Sequence, residues 1–159
     1  MLDHLIELLQ SQLAIYSELL ESALQKKDYI VNNNIESIRR ITACENSLIG
    51  KLQRTEHERQ ALIKDIAENL RIPIDGLTLA VLISHINEPS MQKQLNDLRI
   101  RLRAEMDKLK EINEQNKTLI NHSLEYIDFT MNLLRSSVSG PVYAGTEEIH
   151  GQVFFDARG

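Results

Sequence analysis

The most regular apolar pattern of the chain lies in residues 91–135, MQKQLNDLRIRLRAEMDKLKEINEQNKTLINHSLEYIDFTMNLLR. One row with seven-residue spacing contains Met91, Leu98, Ile112, Leu119, Tyr126 and Leu133. A second row contains leucines and then turns polar, with Leu95, Leu102, Leu109, Asn116, Ser123 and Thr130. Such a repeat is typical of a helix that packs one face on another helix. It predicts a helix from about Pro89 to Arg135, roughly 70 Å long at about 1.5 Å per residue.

The N-terminal half carries a second apolar stripe, which starts with Leu2, Leu9 and Tyr16 at seven-residue spacing. The stripe slips by one position across residues 32–34, three asparagines, and then resumes. Asn33 followed by Glu36 resembles a capping box, which would begin a new helix there. Two interpretations are open, one long helix with a local disturbance or two helices separated by a break. We favour the long helix because the stripe resumes with little gap.

The segment between the two stripes predicts a stop and a short helix. The residue before Pro73 is disfavoured in a helix, so the first helix should end near Arg71. Asp75 can then cap an apolar helix from Gly76 to His85. Two long helices joined by about 18 residues imply an antiparallel pair. Two helices alone also bury less apolar surface than a compact domain, which leaves apolar surface for a partner.

The predicted fold class is therefore all-α, an elongated antiparallel bundle of two long helices plus a short connecting helix. Residues 1–136 form the predicted helical domain, and residues 137–159 form a flexible or extended tail. The linker signal at residues 136–141, SSVSGP, separates the two. Because the tail carries Phe154 and Phe155, we expect it to become ordered under some conditions. We expect either this tail or a second copy of the chain to cover the apolar groove in the free protein.

Composition excludes several classes of function. Gly and Pro are scarce, with 6 and 3 residues, and aromatic residues make up 4%, which favours helices over a β-sandwich. The net charge of −5 argues against nucleic acid and anionic membranes as main partners. The single cysteine, Cys44, fits a reducing compartment. The chain shows neither a signal peptide nor a membrane-spanning stretch, so we expect a cytoplasmic protein without membrane insertion.

Candidate catalytic and metal-binding residues are isolated. A di-iron bundle needs two Glu-x-x-His motifs, and the chain has a single one, Glu147 to His150. Cys44 has no base nearby in sequence, and there is no glycine-rich phosphate loop. The arginines Arg99 and Arg103 are interspersed with acidic residues, which favours a solvated face over a nucleic-acid surface. We therefore expect no enzymatic activity, no cofactor and no metal.

Residues 111–124, EINEQNKTLINHSL, resemble the Asn-x-x-Asn-x-x-Leu-hydrophobic signature of the FlgN-like flagellar export chaperones. The order of features is also similar, with a charged middle at Lys51 to Arg59, a short Leu-rich segment after Pro73, and a tail with Ser, Gly and Tyr from Ser136 to Gly145. The resemblance covers about residues 1–145. Residues 146–159 match no pattern of that family.

The resemblance implies a cytosolic chaperone that binds the C-terminal helical segments of the hook-associated junction proteins. It would keep these aggregation-prone segments soluble and deliver them to the flagellar export apparatus. The implied partner-binding residues lie on the last helix and beyond it: Asn116, Leu119, Ile120, Leu124, Ile127, Met131, Leu134, Val142 and Tyr143.

Two alternatives remain open from the residues themselves. The heptads also fit a structural coiled coil that assembles as a homo-oligomer and acts as a scaffold, and a metal-binding enzyme bundle ranks after it. Asn116 interrupts a leucine row, where it either selects register and partner or marks a hydrated end of the seam.

Overall fold

The computed structural model describes residues 1–138, which include four helices and no strand. The helices are α1 (Leu2–Val31), α2 (Ile35–Leu70), α3 (Leu79–Ser84) and α4 (Pro89–Val138). The all-α class is confirmed. Val142, Tyr143, the Glu147–His150 spacing and the phenylalanines of the tail lie outside the described residues. The predicted boundary after residue 136 stays a prediction.

The interpretation of one long N-terminal helix is wrong, because the chain reverses at the three asparagines. Asn33 has a φ of 52°, in the left-handed region that asparagine tolerates better than most residues. Asn34, rather than Asn33, caps α2, since its side-chain oxygen accepts a hydrogen bond from the Ser37 N–H at 3.1 Å. Asparagine favours both turns and caps, so three in succession end one helix and begin the next.

The reversal places α2 antiparallel to α1. Gln12 of α1 donates to Glu56 of α2 at 3.0 Å, and Lys26, nearer the turn, pairs with Glu45 at 2.8 Å. The residue number of the partner on α2 falls as the residue number on α1 rises, as expected for antiparallel helices. A connection of three residues is sufficient for such a hairpin.

The first part of α4 completes a three-helix arrangement. Near the start of α1, Leu9 lies in one core cluster with Leu102, and further along, the Asn116 amide donates to the Ala23 carbonyl at 2.8 Å. Both numbers rise together, so α4 runs parallel to α1. It runs antiparallel to α2, and the predicted antiparallel pair is therefore correct for α2 and α4 but wrong for α1 and α4. The prediction that the long helices pack together is confirmed.

The short connecting helix begins later than predicted. Gly76 has a φ of 74°, a left-handed conformation that cannot belong to the helix. Thr78, rather than Asp75, caps α3 and accepts a hydrogen bond from the Val81 N–H at 3.2 Å. The predicted stop before Pro73 is confirmed, since Arg71 takes a left-handed conformation directly after α2.

Most of the core lies where α3 meets the N-terminal ends of α1 and α4 and the C-terminal end of α2. Its fully buried large side chains are Leu5, Leu9, Leu82 and Leu95. A smaller cluster further along contains Ile15, Leu19 and Leu48, with Leu52 and Leu109 packed against it. Burying one such leucine contributes about 1.5–3 kcal/mol, so the larger cluster stabilises the bundle most.

The chain divides into two structural units at His122 and Ser123. The three-helix core belongs to the first unit, and residues 123–138 of α4 belong to the second. Nowhere in residues 1–138 does a helix combine the length and apolar character that a membrane span requires.

Candidate functional site

The C-terminal part of α4 exposes a line of large apolar side chains. This first exposed row consists of Ile120, Leu124, Ile127, Met131 and Leu134. Its members alternate four and three positions apart, so they share one face of the helix. Leu124 is 55% exposed and Leu134 is 56% exposed, although leucine is usually buried in a folded protein. A continuous exposed apolar line of this kind is typical of a binding surface.

A second exposed row lies on another side of the same helix and consists of Tyr126, Phe129 and Leu133. The seven-residue spacing predicts that Tyr126 and Leu133 lie in a seam row with Met91 and Leu98, yet Tyr126 is 70% exposed. Phe129 was not identified as a site residue because it falls outside both seam rows. The signal was present in the sequence, since the three residues have the same alternation of three and four positions as the first exposed row.

Small polar residues separate the two exposed rows. Ser123 and Thr130 continue the leucine row that turns polar at Asn116, and the Thr130 hydroxyl donates to the Tyr126 carbonyl at 2.9 Å. At about 100° per residue, the centres of the two exposed rows lie about 150° apart around the helix axis, with the polar row between them. One neighbouring helix covers a stripe of about 100°, so the two rows cannot share a single neighbour.

Asn116 is buried inside the bundle, with 4% of its surface exposed. Its amide donates to the Ala23 carbonyl of α1, whereas its own carbonyl oxygen is buried and accepts no hydrogen bond. Beside it, Lys27 donates to the Gln115 side chain at 3.0 Å. A polar side chain bonded across the seam favours the register role over a hydrated seam, because the bond forms only in one alignment of α1 and α4.

The implied partner-binding residues therefore occupy different environments. Asn116 is buried in the bundle and hydrogen-bonded to α1, and Leu119 is half-buried. The five residues of the first exposed row are accessible and lie together on one line. Val142 and Tyr143 lie outside the described residues.

Two pockets flank α4 just before the exposed rows begin. On one side, Asn113 and Ile120 line an open pocket of about 360 Å³ with Glu45 of α2, whose carboxylate is paired with Lys26. On the other side, Gln115 and Leu119 line a pocket with Lys27 of α1. Lys26 of α1 also lines the first of these pockets, so α1 borders α4 on both sides, and α2 borders it near Ile120 as well.

A polar network connects α1 and α2 around Glu56, whose side chain is partly exposed. Arg59 donates two hydrogen bonds to its carboxylate, at 2.6 and 2.8 Å, and Gln12 and Gln60 donate one each, at 3.0 and 2.8 Å. The hydrogen bonds from Arg59 chiefly lower the pKa of Glu56 to about 2. Burial and the neighbouring Glu56 carboxylate raise the pKa of Tyr16. Because Glu56 accepts from three side chains of the bundle, the network has a structural role.

The described residues bring together no group of three His, Cys, Asp or Glu side chains that could hold a metal. Cys44 is exposed on α2. On the arginine face, Arg103 pairs with Asp107 at 3.2 Å and Arg99 donates to Asn96 at 2.9 Å. These contacts support the interpretation of a solvated face. Within residues 1–138, large exposed apolar side chains are most closely spaced along the sequence in the C-terminal part of α4.

Comparison with known proteins gives one family. The family model described as FlgN protein matches residues 1–147, which include all of α1 to α4. Neither a curated protein nor a solved structure matches the chain significantly.

Proposed function

This chain belongs to the FlgN family of flagellar export chaperones, and from that premise we propose that it binds the C-terminal helical segments of the hook-associated junction proteins in the cytoplasm. It keeps these segments soluble and delivers them to the export apparatus, and it catalyses no reaction. The first exposed row of α4 is the surface that binds the segment. The observation that carries this proposal is the exposure of five large apolar side chains on one line of α4.

The binding mode follows from the spacing of this row. An amphipathic helix from the partner can lay its own apolar stripe along Ile120 to Leu134, since four–three spacing is the spacing of helix–helix seams. In this mode an aggregation-prone segment exchanges water for the side chains of α4. Its apolar surface is then no longer available to another copy of the partner, which is how binding keeps it soluble.

The affinity of such a row is moderate, as a chaperone requires. Each Å² of apolar surface removed from water contributes roughly 25 cal/mol, and ordering the partner segment offsets part of this gain. The row is short and borders the polar row of Ser123 and Thr130. A moderate affinity allows the partner segment to be released at the export apparatus. Val142 and Tyr143 are proposed as additional contacts on the strength of the family resemblance.

A homo-oligomeric scaffold is the second candidate function, because the same four–three spacing allows two copies of α4 to pack on each other. The two functions differ in what covers the first exposed row. In a scaffold the row is buried permanently by another copy, whereas in a chaperone it is accessible to a foreign helix.

Calorimetric titration with C-terminal segments of the junction proteins, combined with light scattering, tests the proposal. The chain offers a matched pair of variants, because Ile127 and Ile100 are isoleucines of α4 with 52% and 54% exposure. Ile127→Asp should weaken one-to-one binding at least tenfold, since it places a charge in the apolar seam. Ile100→Asp should leave binding within about twofold, as expected for an exposed position outside the interface.

A truncation after Arg135 separates the contribution of Val142 and Tyr143 from that of the helix. Weaker binding after truncation would assign part of the site to the tail, and unchanged binding would confine the site to α4. If the wild-type chain binds no segment and forms a stable homo-oligomer, the scaffold function replaces the chaperone function.

A further inference from the structure

We propose that a pocket in the first unit binds an acidic segment of a protein partner. The pocket has a volume of about 300 Å³ and is lined by residues of all four helices, and we call it the arginine pocket. Its occupant places a carboxylate on the arginines of α4 and an apolar side chain against Leu102 and Met106. The inference goes beyond the proposed function, because the arginine pocket shares no residue with either exposed row.

One face of α4 supplies the cations of the arginine pocket. The residues that α4 contributes are Arg99, Leu102, Arg103 and Met106. Their spacing of i, i+3, i+4 and i+7 places them on one side of the helix over about two turns, or roughly 10 Å. Leu102 is buried, whereas the other three side chains are exposed. This face therefore presents two guanidinium groups and a methionine, a side chain that adapts its shape to a partner.

The side of the pocket that α1 and α2 form is already neutralised. Glu56 of α2 accepts two hydrogen bonds from Arg59, at 2.6 and 2.8 Å, and one from Gln12 of α1 at 3.0 Å. Leu9 of α1 is buried and contributes to the apolar floor. The charge of Arg59 is thus balanced within the bundle, and the cations that remain for a partner belong to α4.

The two guanidinium groups of α4 have weak partners. Arg99 donates to the neutral Asn96 side chain at 2.9 and 3.2 Å, and among residues 1–138 no carboxylate lies within ion-pair distance of it. Arg103 pairs with Asp107 at 3.2 Å, but both side chains are mostly exposed, and such a pair contributes little. A carboxylate from a partner can therefore bind either group without breaking a buried contact.

Charge selects an acidic occupant for the arginine pocket. Three arginines and one glutamate give the lining residues a net charge of +2, in a chain whose overall net charge is −5. The sign of the pocket is thus opposite to that of the chain, so an acidic segment favours the pocket over the rest of the surface. A guanidinium group binds a carboxylate through two parallel hydrogen bonds, which also fixes the orientation of the segment.

Other classes of occupant fit the arginine pocket less well. A small-molecule site encloses most of the surface of its ligand, whereas this pocket is open to solvent. A single-stranded nucleic acid stacks its bases on exposed aromatic side chains, and the aromatic residue of the lining, Tyr16, is half-buried. A protein segment supplies both a carboxylate and an apolar side chain along the two turns of α4.

Selection from a display library of random peptides of about 16 residues on the full-length chain tests the inference. The same selection is made on Arg99→Glu, which reverses a charge in the pocket, and on Arg101→Glu as the matched control. Arg101 is an exposed arginine of the same helix that does not line the pocket. A peptide whose enrichment depends on Arg99 is then labelled and titrated by fluorescence anisotropy.

The peptides enriched on the wild type and on Arg101→Glu, but lost on Arg99→Glu, should carry Asp or Glu close to a large apolar residue. The titrated peptide should bind Arg99→Glu and Met106→Asp at least about tenfold more weakly than the wild type. Its affinity for Arg101→Glu should stay within about twofold of the wild type, and so should its affinity for Ile100→Asp, the exposed apolar control for Met106.

Four results would overturn the inference. In the first, no enriched peptide depends on Arg99, or those that do lack acidic residues. In the second, the wild type forms a dimer that Arg99→Glu dissociates, so a second copy fills the pocket. In the third, a short oligonucleotide or free glutamate displaces the peptide at a lower concentration than the unlabelled peptide does. In the fourth, Ile127→Asp weakens binding of the peptide as much as Arg99→Glu does, so the peptide binds the first exposed row.

The outcome for the arginine pocket is separate from the outcome for the proposed function. If the Arg99-dependent peptides fail to appear while the junction-protein segments still bind, this inference falls and the proposed function stands. If the peptides bind as expected while the junction-protein segments do not, the reverse holds.

Discussion

Leu95 and Leu134 are the same residue type on the same helix, yet Leu95 is 0% exposed and Leu134 is 56% exposed. Both belong to apolar rows with helical spacing, so the local pattern does not distinguish them. The difference comes from the neighbours, because Leu95 packs in the cluster that α1, α2 and α3 also build. An apolar row on a helix therefore indicates only that a partner helix is needed, and the partner can belong to the same chain or to another one.

The largest effect expected from this comparison is on stability. Leu95→Ala should lower the free energy of unfolding by about 2–5 kcal/mol, because it removes buried methyl groups and leaves a cavity. Leu134→Ala, the matched substitution on the exposed row, should change it by less than about 0.5 kcal/mol. Urea denaturation followed by circular dichroism measures both. A loss at Leu134 as large as that at Leu95 would show that the exposed row is buried in the free protein.

A smaller effect of opposite sign is expected at Asn116, the last buried position of the leucine row. Asn116→Leu should raise the free energy of unfolding by about 1 kcal/mol, since it replaces a buried carbonyl without a hydrogen bond by an apolar side chain. Thermal unfolding of the variant measures this gain.

Asn116→Asp serves as the contrasting variant, because it places a charge at the same buried position and should lower stability. A lower melting temperature for Asn116→Leu would mean that the hydrogen bond to Ala23 outweighs the unsatisfied carbonyl.

The smallest effect concerns acid sensitivity within the bundle. The pKa of Glu56 falls from an ordinary 4.5 to about 2 on folding, so its ionised form is favoured in the folded state. This contribution is fully present above pH 4.5 and is lost as the pH falls towards 2. The difference in urea midpoint between the wild type and Glu56→Gln should therefore shrink between pH 7 and about pH 2.

Arg59→Ala removes the main cause of the lowered pKa of Glu56. The urea midpoint of this variant should therefore fall less between pH 7 and about pH 2 than that of the wild type. If the midpoint difference between the wild type and Glu56→Gln is the same at both pH values, the network around Glu56 does not stabilise the bundle.

Several features of the fold could be predicted because they depend on neighbours in sequence. The helical character of residues 89–135 follows from the seven-residue repeat, and the stop before Pro73 follows from backbone geometry. The residues from Ile120 to Leu134 that the family resemblance indicated are exposed on one line, and their role in partner binding stays a prediction. The caps were less predictable, since Asn33 and Asn34, or Asp75 and Thr78, have side chains able to cap the same turn.

The residues alone were enough to establish that the chain forms long amphipathic helices. An apolar stripe with helical spacing depends only on residues a few positions apart in the sequence. Tertiary structure decided that the chain reverses at Asn33, that α4 lies parallel to α1, and that Tyr126 and Phe129 remain in water. The physical reason is that helix periodicity is a local property, whereas burial depends on which surfaces meet across the fold. A stripe that slips by one position across the asparagines and then resumes is compatible with both a continuous helix and a hairpin. The packing of α1 against α2, which the stripe does not specify, selects the hairpin.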